Sequence, residues 1–117
     1  MESNWPNCPR YFRSDYQNLK TKFTGAENIE NNWSQSMQDM FVLSMLDGKR
    51  NGVYVEIGAD QPRVISNSYL LEKDFDWAGI SFELDGDKVI YFNSIRRNKC
   101  LCEDATTYDY KFLFEDR

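Results

Sequence analysis

The sequence contains no histidine, and cysteine and proline each occur only three times among its 117 residues. Without histidine, the chain lacks both the commonest general base near neutral pH and the commonest metal-binding side chain. The cysteines, Cys8, Cys100 and Cys102, form no Cys-x-x-Cys pair. Two cysteines alternating along a strand are poorly placed for a mutual disulfide, so the pattern predicts reduced, mostly buried thiols and no metal site.

Long apolar runs are also missing. No segment approaches the ~20 consecutive apolar residues that cross a bilayer, and the N-terminus shows no apolar signal-peptide region. We therefore expect no membrane partner and a cytoplasmic location. The net charge is −5, from 14 basic and 19 acidic residues. Because no basic stripe is present, we expect no nucleic-acid partner either.

What is present is typical of a globular chain, with 41% hydrophobic and 15% aromatic residues. The length limits it to one modest domain. Residues 1–33 are predicted to form an irregular arm and a short helix, which begins at the capping pattern of Ser14 and Gln17 and ends at Gly25. Residues 34–117 are predicted to form the domain itself.

The domain opens with a predicted helix in SQSMQDMFVLSMLDG, which Gly48 ends. At helical spacing one face of it carries Met37, Met40, Phe41, Ser44 and Met45, and Val42 and Leu46 widen this face. A methionine stripe at helical spacing predicts a buried core face, and the alternative is an adaptable binding groove.

Five short segments then alternate: a strand at 52–58, a helix at 66–75, a strand at 77–85, a helix at 86–98 and a strand at 99–105. Ser66 and Asn67 are predicted caps of the first helix. Arg96 and Arg97 are predicted to be solvated charges in the last turn of the second. This order predicts an α/β fold: a partial Rossmann-like βαβαβ parallel sheet, preceded by one or two helices.

In such a fold, ligands bind beyond the carboxyl ends of the strands. The residues predicted to line that site are Glu56, Gly58, Ala59 and Asp60 at the end of the first strand, Glu83 at the end of the second, and Asp104 and Ala105 at the end of the third. Gly58 would let the backbone approach a ligand, Glu83 would accept ribose hydroxyls, and Asp104 would lie near an adenine amino group.

Each of these residues also has a structural interpretation. Gly58 could simply end a strand, Glu56 could cap the amides of the following turn, and Asp104 could be a turn residue. Glu83 could be a solvated carboxylate. The acidic rim and the single glycine disfavour NAD and FAD, whose phosphates need a Gly-x-Gly-x-x-Gly turn. S-adenosylmethionine, which has no phosphate, fits better, and another adenosine ligand is a weaker alternative.

Several ordered motifs resemble the FkbM-type family of S-adenosylmethionine-dependent methyltransferases. The matching residues are Ser34, Gln35, Gln38 and Asp39; Val55, Glu56, Ile57 and Gly58; Ser66, Asn67, Ser68, Leu71 and Glu72; and Trp77, Gly79 and Glu83. The resemblance covers roughly residues 34–110. It implies in-line transfer of a methyl group to a hydroxyl of a sugar or small metabolite, and it assigns no catalytic residue.

The sequence departs from that family in two places. Asp60-Gln61-Pro62 stands where the family has a glycine turn, and the family's fourth strand would follow residue 117. We therefore expect the cofactor-binding half of the domain, inactive as this chain alone. The alternative is a non-catalytic, truncated Rossmann-like module that forms homo-oligomers through the edge exposed at the third strand.

Overall fold

The structure is a computed structural model that describes residues 11–13, 16, 19 and 22–111. After a 3-10 turn at Ala26–Asn28, the elements are α1 (Gln38–Met45), β1 (Val53–Ile57), α2 (Tyr69–Phe75), β2 (Ala78–Phe82), α3 (Gly86–Ile95) and β3 (Cys100–Leu101). The predicted arm at residues 1–10 lies outside the described residues, as do residues 112–117 and most of the predicted helix between Ser14 and Gly25.

The three strands form one parallel sheet in the order β1-β2-β3. Val53 pairs with Ala78 and Ile57 with Phe82, while Ser81 pairs with Cys100. Helices alternate with these strands, so the α/β class and the partial Rossmann-like βαβαβ arrangement are confirmed. The parallel pairing brings the carboxyl ends of all three strands to the same edge of the sheet.

Several elements are shorter than predicted. The third strand was predicted to run from 99 to 105, but β3 contains only Cys100–Leu101. The leading helix starts at Gln38 because Met37 has a positive φ of 65°, which is incompatible with the right-handed helix. It ends at Met45, earlier than predicted, and the amide of Gly48 closes the turn that follows by donating to the carbonyl of Leu43 at 2.8 Å.

The main core lies between the helices and one face of the sheet. Its buried members include Met40, Leu43, Leu70, Phe75 and Trp77. The prediction that the whole methionine stripe is core is wrong.

The stripe prediction fails at Phe41 and Met45, which are 65% and 68% exposed. The face that α1 buries contains Asp39, Met40 and Leu43 instead. Asp39 is turned inward because its carboxylate accepts hydrogen bonds from the amides of Trp33 and Ser34, at 2.8 and 3.0 Å.

The other face of the sheet, here called the outer face, carries Val53, Val55, Ile57, Ala78, Ile80 and Phe82. The predicted alternation along the first strand is present. However, its apolar side chains are exposed: Val53 by 42%, Val55 by 44% and Ile57 by 72%. Phe82 is buried, and the rings of Tyr108 and Tyr110 lie against it.

Arg96 is buried, so the prediction of a solvated charge at the end of the second helix is wrong for this residue. Its Nε lies 2.9 Å from Glu72 Oε1. Arg97 is exposed, as predicted. None of the helices within residues 22–111 is long and apolar enough to cross a membrane.

Candidate functional site

A cavity of about 210 Å³ opens at the carboxyl ends of the strands. Four of the seven predicted site residues line it: Gly58 after β1, Glu83 after β2, and Asp104 and Ala105 after β3. The fold therefore brings residues from three separate segments to one hollow, at the edge of the sheet where the sequence placed the site.

Gly58 borders this cavity with a positive φ of 76°, a conformation that favours glycine. An added β-carbon would meet no protein atom within 4 Å, so the space beside the backbone is open. The amide of Gly58 is already used, since it donates to the carbonyl of Phe82 at 2.8 Å. Gly58 therefore lets a ligand approach the backbone closely, but its amide is not free to donate a hydrogen bond to that ligand.

The carboxylate of Glu83 is held by two backbone amides. Oε1 accepts a hydrogen bond from the amide of Asp60, and Oε2 accepts one from the amide of Asp85, both at 3.0 Å. A carboxylate oxygen has two acceptor positions, so each oxygen keeps one for a further donor. Two hydroxyls on neighbouring carbons, as in a ribose, match this arrangement.

Asp104 lines the cavity and also forms a local turn. Its Oδ1 accepts hydrogen bonds from the hydroxyl and the amide of Thr106, at 2.6 and 2.9 Å. These bonds lower the pKa of Asp104, the hydroxyl contributing most and the amide next. The turn interpretation therefore describes the geometry well, and the carboxylate stays ionised at neutral pH. The neighbouring Ala105 is buried, and its carbonyl accepts a hydrogen bond from Tyr110 at 2.7 Å.

Glu56 does not line the cavity. Its Oε1 accepts hydrogen bonds from the hydroxyls of Ser68 and Ser81, at 2.7 and 2.8 Å. The side chain is thus directed to the face opposite the outer face, where it ties α2 to β2. These partners are hydroxyls and not the turn amides that the structural interpretation named.

Ala59 and Asp60 also lie away from the cavity lining. Ala59 is buried in a small apolar cluster with Val89, Phe92 and Cys100. The carboxylate of Asp60 forms an ion pair with Lys88. Hydrogen bonding to Asp60 is the main cause that raises the pKa of Lys88, and the charge of Asp60 is the second.

The Asp60-Gln61-Pro62 segment forms its turn without a glycine. Asp60 itself adopts a positive φ of 58°, a region in which Asp is enriched among non-glycine residues. The carbonyl of Pro62 accepts a hydrogen bond from Arg96 at 2.7 Å. The segment therefore contains a left-handed residue at Asp60, and a buried arginine holds it in place.

Sequence reasoning missed the apolar walls of the cavity, formed by Ile57, Phe82 and Leu84. The period-2 pattern was the available signal, because it places residues 57 and 82 on one face at the ends of neighbouring strands. The charged side chains that line the cavity are Glu83, Glu103 and Asp104, all acidic. Within the described part of the chain, no group of acidic and cysteine side chains is arranged to hold a metal ion.

The size and lining of the cavity limit what it can hold. Its volume of about 210 Å³ is below the roughly 300–1,000 Å³ typical of pockets for drug-sized ligands. It suits one part of a cofactor better than a whole cofactor. An acidic rim over apolar walls favours a neutral or cationic group and disfavours phosphates.

Comparisons with known proteins gave no match: no protein-family model, no curated protein and no solved structure is significantly similar to this chain. The resemblance to FkbM-type methyltransferases thus stays a prediction from the motifs. The ligand-binding roles of the seven candidate residues stay predictions as well. What the structure adds is their arrangement in space.

Proposed function

We propose that residues 34–117 bind the adenosine part of S-adenosylmethionine, as the cofactor-binding portion of an FkbM-like methyltransferase that acts on a hydroxyl of a sugar or small metabolite. One observation carries this proposal. Gly58, Glu83 and Asp104, which come from three separate strand ends, border a single cavity. Parallel α/β sheets bind their ligands at this edge.

In this proposal each cavity residue has a definite part. Glu83 accepts the two ribose hydroxyls through the free acceptor positions of its oxygens. Asp104 or its backbone accepts the adenine amino group. Gly58 lets the backbone lie against the sugar, and the apolar side chains of Ile57 and Leu84 contact the flat faces of the nucleoside.

The reaction itself is in-line methyl transfer. When bound, the cofactor would supply a methyl group on a cationic sulfur for transfer to an acceptor hydroxyl, and Gly58, Glu83 and Asp104 would hold its adenosine part. No catalytic residue is assigned within the described structure. The contribution of this chain is positioning of the cofactor, so we expect binding without turnover.

Thermal unfolding and isothermal titration with S-adenosylmethionine, its demethylated product and adenosine test the proposal. A ligand at 100 times its Kd stabilises the fold by about 2.7 kcal/mol. All three compounds should therefore raise the Tm at millimolar concentration. ATP should raise it less, because its phosphates meet the acidic rim of the cavity.

Two variants test whether the ligand binds in the cavity. Glu83→Gln replaces one acceptor oxygen by a donor and should weaken adenosine binding at least tenfold. Glu27→Gln changes an exposed carboxylate in the 3-10 turn and should leave binding unchanged. The proposal fails if millimolar adenosine compounds do not stabilise the wild type, or if Glu83→Gln binds them as well as Glu27→Gln does.

The proposed location is the cytoplasm. The support is that Cys100 and Cys102 are both free thiols, as is usual in a reducing compartment. Cell fractionation with the tagged full chain tests it. Recovery in a secreted or membrane fraction would refute the location without bearing on ligand binding.

A second candidate function is a non-catalytic interaction module that forms homo-oligomers. It is favoured by the exposed apolar side chains on the outer face and by the position of β1 and β3 as outermost strands of the described sheet. Light scattering after size-exclusion chromatography tests it. A mass of twice the monomer or more, together with no response to adenosine compounds, would favour this candidate.

A further inference from the structure

The edge of the sheet at which the strands begin, here called the amino edge, carries two pairs of basic residues. Lys49 and Arg50 precede β1, and Arg97 and Lys99 precede β3. Parallel strands all begin at the same edge, so the fold brings the two pairs to one surface although they are far apart in the sequence. All four residues are exposed, and they outnumber the acidic residues of the loops that lead into the strands, which are Asp47 and Asp76.

The opposite edge, where the cavity opens, is acidic, since Glu83, Glu103 and Asp104 line that cavity. Strand residues advance about 3.3 Å each, so β1 separates the two edges by about 13 Å. This distance exceeds the Debye length of about 8 Å at physiological ionic strength, so exposed charges at the two edges are largely screened from each other. A partner at the amino edge therefore meets the local positive charge and not the net charge of −5.

Two of the basic side chains already hold a carboxylate of the chain itself. Arg50 Nη2 lies 3.2 Å from Asp76 Oδ2, and Arg97 Nη1 lies 3.7 Å from Asp76 Oδ1, and all three side chains are more than half exposed. Each guanidinium has five N–H donors, so two of them around one carboxylate keep donors and positive charge for a further acceptor. Among the described residues, neither Lys49 nor Lys99 has an ion-pair partner.

The loops of the amino edge are tied to one another. Trp77 Nε1 donates to the carbonyl of Lys49 at 2.8 Å, and Asn98 Nδ2 donates to the carbonyl of Trp77 at 2.9 Å. A hollow of about 370 Å³ lies beside these bonds, and Arg97 is among the residues that line it. The surface is thus formed before a partner arrives, which lowers the cost of ordering it on binding.

We propose that the amino edge binds a short acidic peptide segment of a partner protein, with Arg50 and Arg97 receiving its carboxylates. Arginine binds carboxylates through paired hydrogen bonds. Three neighbouring strands span about 10 Å, and side chains on one side of an extended peptide recur about every 7 Å, so acidic residues at alternate positions reach both basic pairs. Nucleic acid is the competing partner. Its long phosphate backbone would extend beyond the amino edge toward the acidic one, whereas a short peptide would not.

Fluorescence anisotropy of the full chain with a labelled peptide tests the proposal at physiological ionic strength. The probe has glutamate at alternate positions of a glycine chain, and the comparison peptide has glutamine there. The glutamate peptide should bind at least tenfold more tightly than the glutamine peptide, and more tightly than a single-stranded RNA of equal charge. Equal binding of the two peptides, or tighter binding of the RNA, would overturn the proposal.

Substitutions of basic residues locate the binding. Arg50→Gln combined with Arg97→Gln should weaken binding of the glutamate peptide at least tenfold. Lys88→Gln removes an exposed cation from α3, near the opposite edge, and should leave the affinity unchanged. Equal affinities of the double variant and Lys88→Gln would refute the assignment to the amino edge.

Asp76→Asn should act in the opposite direction. It removes the carboxylate that competes for both arginines, so the affinity for the glutamate peptide should rise severalfold. Asp87→Asn makes the same change of net charge in the first turn of α3, and should have no effect. An equal rise in both variants would contradict the proposal, because it would reflect net charge alone.

Nuclear magnetic resonance of the wild type maps the surface without any variant. The glutamate peptide should shift the backbone amides of residues 49–50 and 97–99 and leave those of Glu83 and Asp104 in place. Shifts confined to Glu83 and Asp104 would overturn the proposal. The result is independent of the adenosine cavity, because adenosine compounds are absent from this titration.

Discussion

The guanidinium Nε of Arg96 lies 2.9 Å from Oε1 of Glu72, and both side chains are buried. The remaining guanidinium nitrogens reach the carbonyl of Pro62 and the hydroxyls of Tyr54 and Ser68. One arginine at the end of α3 thus joins the loop after β1, the start of α2 and β1 itself. Because its donors are satisfied, the charge is tolerated in the interior.

We predict that Arg96→Met lowers the free energy of unfolding by about 3–5 kcal/mol, because it leaves the buried carboxylate of Glu72 without its charged partner. Arg97→Met is the matched control. Its exposed side chain lies 3.7 Å from Asp76, and such surface pairs contribute about 0–1 kcal/mol. Urea unfolding followed by circular dichroism measures both. Equal losses in the two variants would contradict the assignment.

A second prediction concerns the glycine beside the cavity. Gly58→Ala should cost about 1–2 kcal/mol of stability, because its φ of 76° is unfavourable for alanine. It should also weaken adenosine binding at least tenfold, since the new methyl group extends into open space beside the cavity.

Gly86→Ala is the control for that prediction. Gly86 begins α3, and an added β-carbon would lie an ordinary 4.0 Å from the sulfur of Cys102. This change should leave adenosine binding intact and raise stability by about 0.4–1 kcal/mol. Chemical unfolding and titration calorimetry compare the two. If Gly58→Ala binds as tightly as Gly86→Ala, Gly58 does not border the ligand.

A third prediction concerns the two cysteines near β3. Burial, as the main cause, raises the pKa of Cys100 to about 11, and the nearby charge of Glu56 adds to it. A raised pKa keeps the thiol protonated, so at pH 8 only about one Cys100 in a thousand is the reactive thiolate. Cys102 is exposed. Brief treatment with iodoacetamide should therefore modify Cys102 and spare Cys100.

Mass spectrometry of the peptides measures this labelling. Repeating the labelling at several pH values tests the direction of the pKa shift of Cys100. Reactivity of Cys100 should rise steeply as the pH approaches 11 and should remain low below pH 9. Unfolding in urea should remove the protection. Equal labelling of Cys100 and Cys102 at pH 8 in the folded protein would refute the burial of Cys100.

The succession of strands and helices, and the edge of the sheet at which the cavity lies, could be predicted because local signals mark each element. Alternating apolar residues mark the strands, and the glycine and acidic residues that follow mark their ends. Parallel pairing then fixes which edge of the sheet collects Gly58, Glu83 and Asp104. The prediction needed no knowledge of contacts between distant side chains.

The burial of particular side chains could not be predicted in this way. The stripe that includes Phe41 and Met45 is as periodic as a core face. Yet Asp39 turns inward, because amides of the preceding loop bind its carboxylate. Arg96 becomes buried through Glu72, a partner 24 residues away. In both cases hydrogen bonds to groups outside the helix decide the outcome, and helix periodicity carries no information about them.

The two backbone amides that donate to Glu83 fix its carboxylate before any ligand binds. A flexible acceptor must be immobilised when a ligand arrives, at a cost of about 0.5–1.5 kcal/mol for each such side chain. Here the neighbouring loops have already restricted the carboxylate during folding. A ligand that binds these oxygens therefore loses little free energy to ordering the Glu83 side chain, and more of the interaction energy contributes to affinity.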